Sequence, residues 1–480
     1  MNDLRNQLAL HERFQQDFSR RTFLQKSFAG IGGMALSQLL GANSSSSMPF
    51  LQSQGGLHFP AKAKRIVHLC MAGGPSHLES FDPKPKLDAL NGQPFPESFT
   101  AGQQLAQLQG SKLIARGSFT KFQKWGQSGI EISELFPHIG SIADDICVVR
   151  SMVTEQINHD PAHAFMNSGS ILKGRPSMGS WLLYGLGAES QNLPGYVVMV
   201  SRGKEPDQPI SARQWSAGFL PSKFQGVQFQ SKGSAVHYVG SPDGVCQSTQ
   251  RQVIDEIQRF NGALRDERVD PEIETRISQY EMAFRMQSSV PELSDMKGEQ
   301  QHILDMYGVK EPGDGSFASN CLLARRMLER GVRFVQLYHR GWDHHRDIEK
   351  NMPASAKLTD QASAALVKDL KQRGLLEDTL VIWGGEFGRT PMGQGTGRDH
   401  HIKGFSLWMA GAGIKPGITH GATDDLGYAA EKDIVHVRDL HATLLHQFGI
   451  DHARFTTKFQ GLDYKLTGVE PSKAVKAIMI

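Results

Sequence analysis

A run of six residues, Thr379-Leu380-Val381-Ile382-Trp383-Gly384, decides the fold, and Gly385-Glu386-Phe387-Gly388 follows it directly. The run is short, uncharged and rich in β-branched side chains, which is typical of a strand buried on both faces of a parallel sheet. Five more runs of this kind alternate with helical patterns along the chain. This alternation predicts an α/β fold, with a mostly parallel central sheet and helices on both of its faces.

The predicted elements follow from two signals, a short apolar run for a strand and an apolar period near 3.6 residues for a helix. The predicted strands are Arg65–Met71, Ile146–Arg150, Tyr196–Ser201, Val332–His339, Thr379–Gly384 and Phe405–Ala410. The predicted helices are Met178–Leu186, Gln250–Arg265, Pro271–Met286, Asn320–Arg330, Ala354–Arg373 and Val437–Phe448. We expect one domain over residues 60–467, with surface insertions near 84–135 and 202–248, where Gly, Gln, Ser and Pro accumulate.

Composition places the chain among globular proteins with no strong charge. Its 480 residues include 52 Lys+Arg and 49 Asp+Glu, so the formal charge is +3. A balance this close to neutral argues against nucleic acid as a partner. Hydrophobic residues make up 39% of the chain, enough for a sizeable core. The four cysteines are widely spaced and form no C-x-x-C pair, which argues against a disulfide scaffold or a zinc ribbon.

The N-terminal region has the pattern of an export signal. The residues Ser19-Arg20-Arg21-Thr22-Phe23-Leu24 precede an apolar, Gly-rich run, Phe28 to Leu40, and a Ser-rich exit. An arginine pair before such a run is typical of twin-arginine export, so residues 1–47 are expected to be a signal region and the protein to be periplasmic or secreted. The alternative is a chance basic pair before a buried helix. No later stretch is apolar for the length that a membrane span needs, so no transmembrane segment is expected after the signal.

Histidines and carboxylates collect in the loops that follow the predicted strands. In open parallel sheets, ligands bind at the carboxyl ends of the strands, where loops from several strands converge. Imidazole and carboxylate together favour Zn²⁺ or Mn²⁺, with Ca²⁺ as an alternative. The predicted metal ligands are Asp343, His345, Glu386, His400, His420 and His77. Solvated turn residues are the alternative for most of these positions, and Glu386 could instead be a helix N-terminal charge or a partner of Arg389.

Two pairs of histidines need separate interpretation. His400 and His401 are adjacent, so only one of them is expected to reach the ion, with the other supporting it. His159 and His163 have the i, i+4 spacing of helical ligands, but Asp160 is a natural N-cap and Pro161 a natural first helical residue. His159 would then lie in the loop. Either histidine could instead hydrogen-bond a core carbonyl.

Several other chemistries lack their motifs. The chain has no G-x-x-x-x-G-K-[ST] phosphate loop, no H-E-x-x-H metalloprotease helix and no G-x-S-x-G nucleophile turn. The segment Gly393-Gln394-Gly395-Thr396-Gly397 is rich in glycine but misses the spacing of a dinucleotide-binding turn. The sequence therefore gives little support to a nucleotide-dependent enzyme or to a serine hydrolase.

Five motifs carry a family resemblance. They are GGPSHLESFDPKP (73–85), GWDHH (341–345), GGEFGRTP (384–391), GRDHH (397–401) and HGATDDLGY (420–428). With the arginine-pair leader they resemble the domain-of-unknown-function family 1501, a sulfatase-like family, over residues 60–467. That family is similar in layout to the alkaline phosphatase and sulfatase superfamily. The resemblance implies an alkaline-phosphatase-like sandwich with one or two metal ions at the carboxyl edge of its sheet, and hydrolysis of sulfate or phosphate esters.

The resemblance carries over with departures. Glu386 keeps the carboxylate that ends the superfamily strand, Phe387 replaces the usual His or Asn ligand, and His400 is the candidate to supply that nitrogen. The sulfatase signature C-x-P-S-R matches residues 159–163, which places His159 in the nucleophile slot and His163 where an arginine should be. The chain thus lacks the usual cysteine or serine nucleophile.

These departures leave His159, His163 and Arg389 as the catalytic candidates. We expect a metal-bound water to attack the ester, with Arg389 or Lys403 neutralising charge on the departing group. The predicted function is an exported metal-dependent hydrolase acting on sulfate or phosphate esters of small molecules or glycans. The alternative is a catalytically inactive sulfatase-fold protein that binds a glycan or anionic ligand in the cell envelope, and a structural envelope component is a third possibility. The sequence predicts no oligomeric state.

Overall fold

The computed structural model describes residues 50–103, 105–203, 208–236, 245–267 and 271–480. The predicted export signal, residues 1–47, lies outside them. The strands are β1 (Arg65–Ala72), β2 (Phe122–Trp125), β3 (Ile130–Ser133), β4 (Ile146–Val153), β5 (Tyr196–Arg202), β6 (Val227–Phe229), β7 (Phe334–Arg340), β8 (Thr379–Gly384), β9 (Gly388–Gln394), β10 (Gly397–His401), β11 (Phe405–Ala410), β12 (Ile418–His420), β13 (Ala422–Thr423), β14 (Ala430–Lys432), β15 (Val435–His436), β16 (Thr457–Phe459) and β17 (Leu462–Tyr464).

The α-helices of the described residues vary from one turn to seven. They are α1 (Phe50–Ser53), α2 (Pro85–Ala89), α3 (Glu97–Thr100), α4 (Pro137–Gly140), α5 (His159–Ser168), α6 (Met178–Leu186), α7 (Gln247–Glu267), α8 (Pro271–Ser294), α9 (Gln301–Tyr307), α10 (Phe317–Glu329), α11 (Ile348–Gln372) and α12 (Val437–Gln447). None of these described helices combines the length and the apolar character that crossing a bilayer needs.

The central sheet orders its strands β12-β4-β11-β8-β1-β7-β5-β6, with β15 also paired to β4. β1 lies parallel to both of its neighbours, with Ile66 opposite Phe334 on β7 and Leu380 on β8. β11 alone in this sheet runs against its neighbours β4 and β8. The carboxyl ends of the remaining strands therefore meet at one edge, as the sequence predicted.

Helices cover both faces of the sheet. Successive side chains of a strand point to opposite sides, so each central strand contributes to two separate clusters. On β1, Val67 and Leu69 belong to the core cluster that contains Leu322 of α10 and Leu366 of α11. The alternate residues of β1 belong to a second cluster, on the side of α5, α6 and α12. The structure thus has the predicted α/β architecture, a mostly parallel sheet with helices on both faces.

The six predicted strands and six predicted helices are all present, and their limits shift where local chemistry outweighs the apolar pattern. α11 begins at Ile348, six residues before the predicted start, with Pro353 inside it. A proline near a helix start loses only one backbone hydrogen bond, so it need not mark a boundary. α8 continues past its predicted end to Ser294, with Pro291 in its last turn.

The first predicted insertion is more than a surface excursion. Residues 84–135 contain α2, α3 and the β2–β3 hairpin, and Ile130 and Ile132 of that hairpin lie in the main core. A separate small core joins Phe95 and Leu108 of this segment to Met392 on β9. The segment therefore packs against the loops that follow β8.

Candidate metal centre

The candidate site lies at the carboxyl edge of β1, β7 and β8, where three loops approach closely. Gly73 follows β1 with φ +122°, and a Cβ built on it would lie 2.4 Å from the backbone nitrogen of Asp343. No other residue accommodates both that dihedral angle and that approach. This contact sets the loop after β7 beside the loop after β1, and Glu386 enters from the loop after β8.

Glu386 is fully buried and is held from two sides. The backbone N–H of Gly73 donates to both of its carboxylate oxygens, at 3.0 and 3.2 Å. Nδ1 of His159 lies 2.6 Å from Oε1, and Nε2 of His163 lies 3.4 Å from it. Burial alone would raise the pKa of Glu386, but the two imidazoles lower it to about 2. Glu386 is therefore a carboxylate at neutral pH.

Asp343 lies close to three imidazole rings, one of which, His159, also contacts Glu386. Its Oδ1 lies 3.0 Å from Nε2 of His345 and 3.2 Å from Nε2 of His400, and its Oδ2 lies 3.1 Å from Nε2 of His159. Burial would raise the pKa of Asp343, but contacts with these three rings hold it well below its usual range. The structure thus joins Asp343 and Glu386 through one ring. The pKa of His159, which burial alone would lower, is raised to about 9 by the two carboxylates.

The rings of His345 and His400 meet through their Nε2 atoms, which are 2.9 Å apart. Nδ1 of His400 lies 2.7 Å from the carbonyl oxygen of Ile157, and Nδ1 of His345 contacts Oε1 of Gln394. A ring that donates from Nδ1 to an oxygen presents an electron pair at Nε2. Two such pairs and Oδ1 of Asp343 converge on one point. Burial lowers the pKa of His400 to about 4, so this ring is neutral.

A buried imidazole without a hydrogen-bond partner in the described part of the chain lies in the second turn of α5. His163 is fully buried, and neither of its ring nitrogens has a hydrogen-bond partner among the described residues. Burial lowers its pKa, so the ring is neutral and presents at least one unused electron pair. Buried polar atoms are almost always satisfied, so an orphan of this kind marks a missing partner.

Three sets of nitrogen and oxygen atoms in the described residues are close enough to hold one cation each. The sets are His159, His163 and Glu386; His159, Asp343 and His400; and His345, Asp399 and His400. Neutral imidazoles with carboxylates are the donors that Zn²⁺ and Mn²⁺ take, and they are less suited to Ca²⁺. The residues present therefore fit a divalent transition metal.

Arg389 has a different position from the one expected. Its Nη2 donates to Oδ1 of Asp343 at 2.6 Å and to the carbonyl oxygen of Gly73. Its Nε donates to the carbonyl oxygen of Gly74 at 3.0 Å, and Nη1 donates to that of Arg398 at 3.1 Å. Every nitrogen of this buried guanidinium is thus bonded within the protein. Arg389 therefore fixes Asp343 and the end of β1.

Two predicted ligands lie outside these sets. His420 ends β12, which β4 and β11 separate from β8. Three strand spacings place it roughly 14 Å along the sheet from β8. His77 lies in the turn after β1, and its Nε2 is 3.0 Å from the carbonyl oxygen of Gly427. Strand order, which the sequence does not encode locally, decides the first case.

The loop at 420–428 is structural rather than chemical. Asp424 accepts hydrogen bonds from the backbone N–H groups of Leu426, Tyr428 and Ala429, at 2.9, 3.1 and 2.6 Å. The ring of His401 contacts the carbonyl oxygen of Tyr428, so of the adjacent histidines only His400 lies in the cluster. The motif thus forms an ordered loop that packs beside the site.

The start of α5 also differs from the prediction. The helix begins at His159 with Asn158 as N-cap, and Asp160 forms an ion pair with Arg213 at 2.9 Å instead of capping. His159 is therefore the first helical residue, and its ring points back to Glu386. Asp399 is a site residue that the prediction did not include, although it stands beside His400 in a quoted motif.

The comparisons with known proteins give a family and distant structural likenesses. The family described as "Protein of unknown function (DUF1501)" matches residues 63–479. No match was found among curated proteins. The lipoteichoic acid synthase LtaP from Listeria monocytogenes is 10% identical, with a TM-score of 0.36 over 90% of this chain and 80% of that one.

Two further solved structures are similar at the same level. The PsFucS1 sulfatase from Pseudoalteromonas sp. is 13% identical, with a TM-score of 0.32 over 83% of this chain and 69% of that one. A protein of the alkaline phosphatase superfamily from Vibrio parahaemolyticus is 11% identical, with a TM-score of 0.31 over 90% of this chain and 75% of that one.

Proposed function

This chain belongs to the DUF1501 family, as its motifs predicted, and from the site it carries we propose that it is an exported, metal-dependent hydrolase of sulfate or phosphate esters. One observation carries the proposal. The Nε2 atoms of His345 and His400 and Oδ1 of Asp343 lie within 3.2 Å of one another, with the far nitrogen of each ring already bonded to an oxygen. Electron-rich atoms repel at such distances unless a cation or a proton lies between them.

The residues take distinct parts in this proposal. In this proposal Asp343, His345 and His400, whose ligand atoms converge, hold a divalent ion, Zn²⁺ or Mn²⁺. Asp399, which forms a candidate set with the two histidines, is a further oxygen beside them. A bound divalent ion would act as a Lewis acid on the ester oxygens and lower the pKa of water toward about 7. Phe387 packs against the rings of His159 and His400, with centroids 5.0 and 4.5 Å away, and keeps bulk water from this side of the site.

We assign proton transfer to His159. Its ring faces Glu386 with one nitrogen and Asp343 with the other, so it can hold a proton at Nδ1 and move one at Nε2. In ester hydrolysis the bond from sulfur or phosphorus to the alcohol oxygen breaks, a bond to the water oxygen forms, and the alcohol takes up a proton. Arg389 positions Asp343, and small-molecule or glycan esters are the proposed substrates.

A second candidate is a binding protein with no turnover. Two observations favour it: Arg389 has all its nitrogens bonded within the protein, and the slot for a nucleophile holds His159 in contact with two carboxylates. Such a protein would bind a glycan or an anionic ligand at this site.

The test is an assay with p-nitrophenyl sulfate and p-nitrophenyl phosphate, each with and without Zn²⁺ or Mn²⁺. Release of nitrophenol that a chelator removes and metal restores supports the hydrolase. His400→Gln should abolish it, while the matched control His420→Gln, a histidine outside the cluster, should retain it. Equal activity in His400→Gln would refute the assignment of the site, and stoichiometric metal without turnover on either ester would favour the binder.

Export is proposed from the sequence of residues 1–47 alone. We infer that the protein leaves the cytoplasm folded, by the twin-arginine route. Replacing Arg20 and Arg21 together by lysine should retain the protein inside the cell, as measured by fractionation. Unchanged export of this variant would contradict the route, with the single variant Lys26→Gln as control for basic charge in the same region.

A further inference from the structure

The glycine-rich segment Gly393 to Gly397, which no motif explains, is the turn of a hairpin. Gln394 ends β9 and pairs with Gly397, the first residue of β10, so Gly395 and Thr396 form a two-residue turn. Gly395 takes φ +55°, as turns of this kind require. The glycines therefore serve the backbone of this turn.

This turn is fixed against the loop that carries Asp343 and His345. The backbone N–H of Arg398 donates to the carbonyl oxygen of His344 at 3.1 Å. A Cβ built on Gly397 would lie 2.3 Å from that same oxygen, so the two backbones are in contact. Oγ1 of Thr396 accepts from the backbone N–H of Asp347 at 2.8 Å. The side chain of Gln394 is thereby held beside the ring of His345.

Gln394 is bonded at both ends of its amide. Oε1 contacts Nδ1 of His345, and Nε2 donates to Oε1 of Gln107 at 2.8 Å. The residue after Gln107 is Leu108, and its backbone N–H donates to the carboxylate of Asp399 at 2.8 Å. With its nitrogen donating to Gln107, this amide turns its oxygen to the imidazole, and His345 then donates from Nδ1.

We propose that Gln394 is a positioning residue that fixes His345 in the tautomer protonated at Nδ1, so that the Nε2 electron pair faces Asp343 and His400. The inference rests on the proposed function, in which these three residues hold a divalent ion. A ring protonated at Nε2 would point a hydrogen at the ion instead. Loss of such a supporting partner weakens metal binding by about 10- to 100-fold in other sites.

The proposal is tested on the full-length protein with two variants and one control. Gln394→Leu removes the acceptor, Gln394→Glu keeps an acceptor at the same place, and Gln107→Leu removes only the far partner of the amide. Zn²⁺ affinity is measured by competition with a chelating dye. The tautomer of His345 is read from long-range ¹H–¹⁵N correlations of ¹⁵N-histidine in metal-free protein, with the signals assigned from His345→Gln.

We expect a proton on Nδ1 of His345 in the natural protein, and a mixed tautomer with about 10- to 100-fold weaker Zn²⁺ binding in Gln394→Leu. Gln394→Glu should bind Zn²⁺ as the natural protein does, and Gln107→Leu, which frees the amide of Gln394 to turn, should lose less affinity than Gln394→Leu. A ring of His345 protonated at Nε2 and not at Nδ1 in the natural protein overturns the proposal, and so does Gln394→Leu with unchanged affinity. If Gln394→Leu fails to fold, Gln394→Asn, which is too short to reach the ring, replaces it. Absence of Zn²⁺ binding by the natural protein refutes the proposed function, while the tautomer is still read independently.

Discussion

Replacing Glu79 by glutamine should destabilise the protein strongly, although this residue touches no candidate ligand. Glu79 and Arg398 are both fully buried, and Nε of Arg398 donates to the two oxygens of Glu79 at 3.0 and 3.1 Å. The same guanidinium donates to the carbonyl oxygens of Arg116, Gly117 and Thr390, at 3.0, 2.9 and 3.1 Å. The pair thus joins the turn after β1, the insertion and the β9–β10 hairpin.

The magnitude follows from burial. Removing one charge of a buried pair leaves the other uncompensated, which costs about 3–5 kcal/mol. With a urea dependence of roughly 3 kcal/mol per molar, the midpoint should fall by about 1 M or more. The matched control is Glu349→Gln. Glu349 pairs with Arg116 at 2.9 Å but its side chain is 65% exposed, so about 0–1 kcal/mol is expected.

The assay is urea unfolding followed by tryptophan fluorescence at pH 7, on the natural protein and both variants. The reasoning predicts a large shift for Glu79→Gln and almost none for Glu349→Gln. Equal midpoints for the two variants would refute it, because burial would then not decide the energy of these ion pairs.

Three other outcomes are expected. Zn²⁺ at about 100 times its dissociation constant should raise the free energy of unfolding by about 2.7 kcal/mol, seen as a thermal shift that His400→Gln abolishes and His420→Gln retains. Burial lowers the pKa of His441 to about 4, below its unfolded value of 6.5, so its contribution to stability is complete above pH 6.5 and is lost as the pH falls toward 4. His441→Gln should therefore flatten the pH dependence of the unfolding midpoint in that window, and an unchanged slope would contradict this. Cys246 is exposed, and hydrogen bonding with Ser248, more than with other groups, lowers its pKa to about 6, so a thiol reagent at pH 7 should label one cysteine in the folded protein and four after denaturation.

The fold was predictable because its strands carry their own signal. Val381 and Ile382 lie in a continuous apolar run, and such a run reads as a buried strand without any knowledge of its neighbours. The β9–β10 hairpin has no such run, since Arg389, Arg398 and His400 are polar residues that tertiary contacts bury. Its existence depends on partners that the local sequence does not reveal.

The site was predictable to the same extent. Asp343 and Glu386 follow β7 and β8, two parallel strands that flank β1, so strand direction brings them to one edge and strand order brings them close together. His420 also follows a strand, but its distance from the others depends on strand order, and β4 and β11 intervene. Arg389 was expected to face a substrate because arginine suits an anion, whereas the backbone oxygens of Gly73 and Gly74 occupy it. Whether an arginine is free to bind an anion depends on its neighbours in the folded protein, which the local sequence does not reveal.

The place of β11 in the sheet, between β4 and β8, has a consequence for the order in which the protein can assemble during synthesis. β4, which delivers α5 and His159, and β8, which delivers Glu386, are not adjacent, and β11 fills the place between them. Synthesis proceeds from the N-terminus, so β4 leaves the ribosome long before Phe405, whereas β8 precedes β11 by only a short stretch of chain. The place between β4 and β8 is therefore filled late, and His159 meets Glu386 only when most of the polypeptide has been translated.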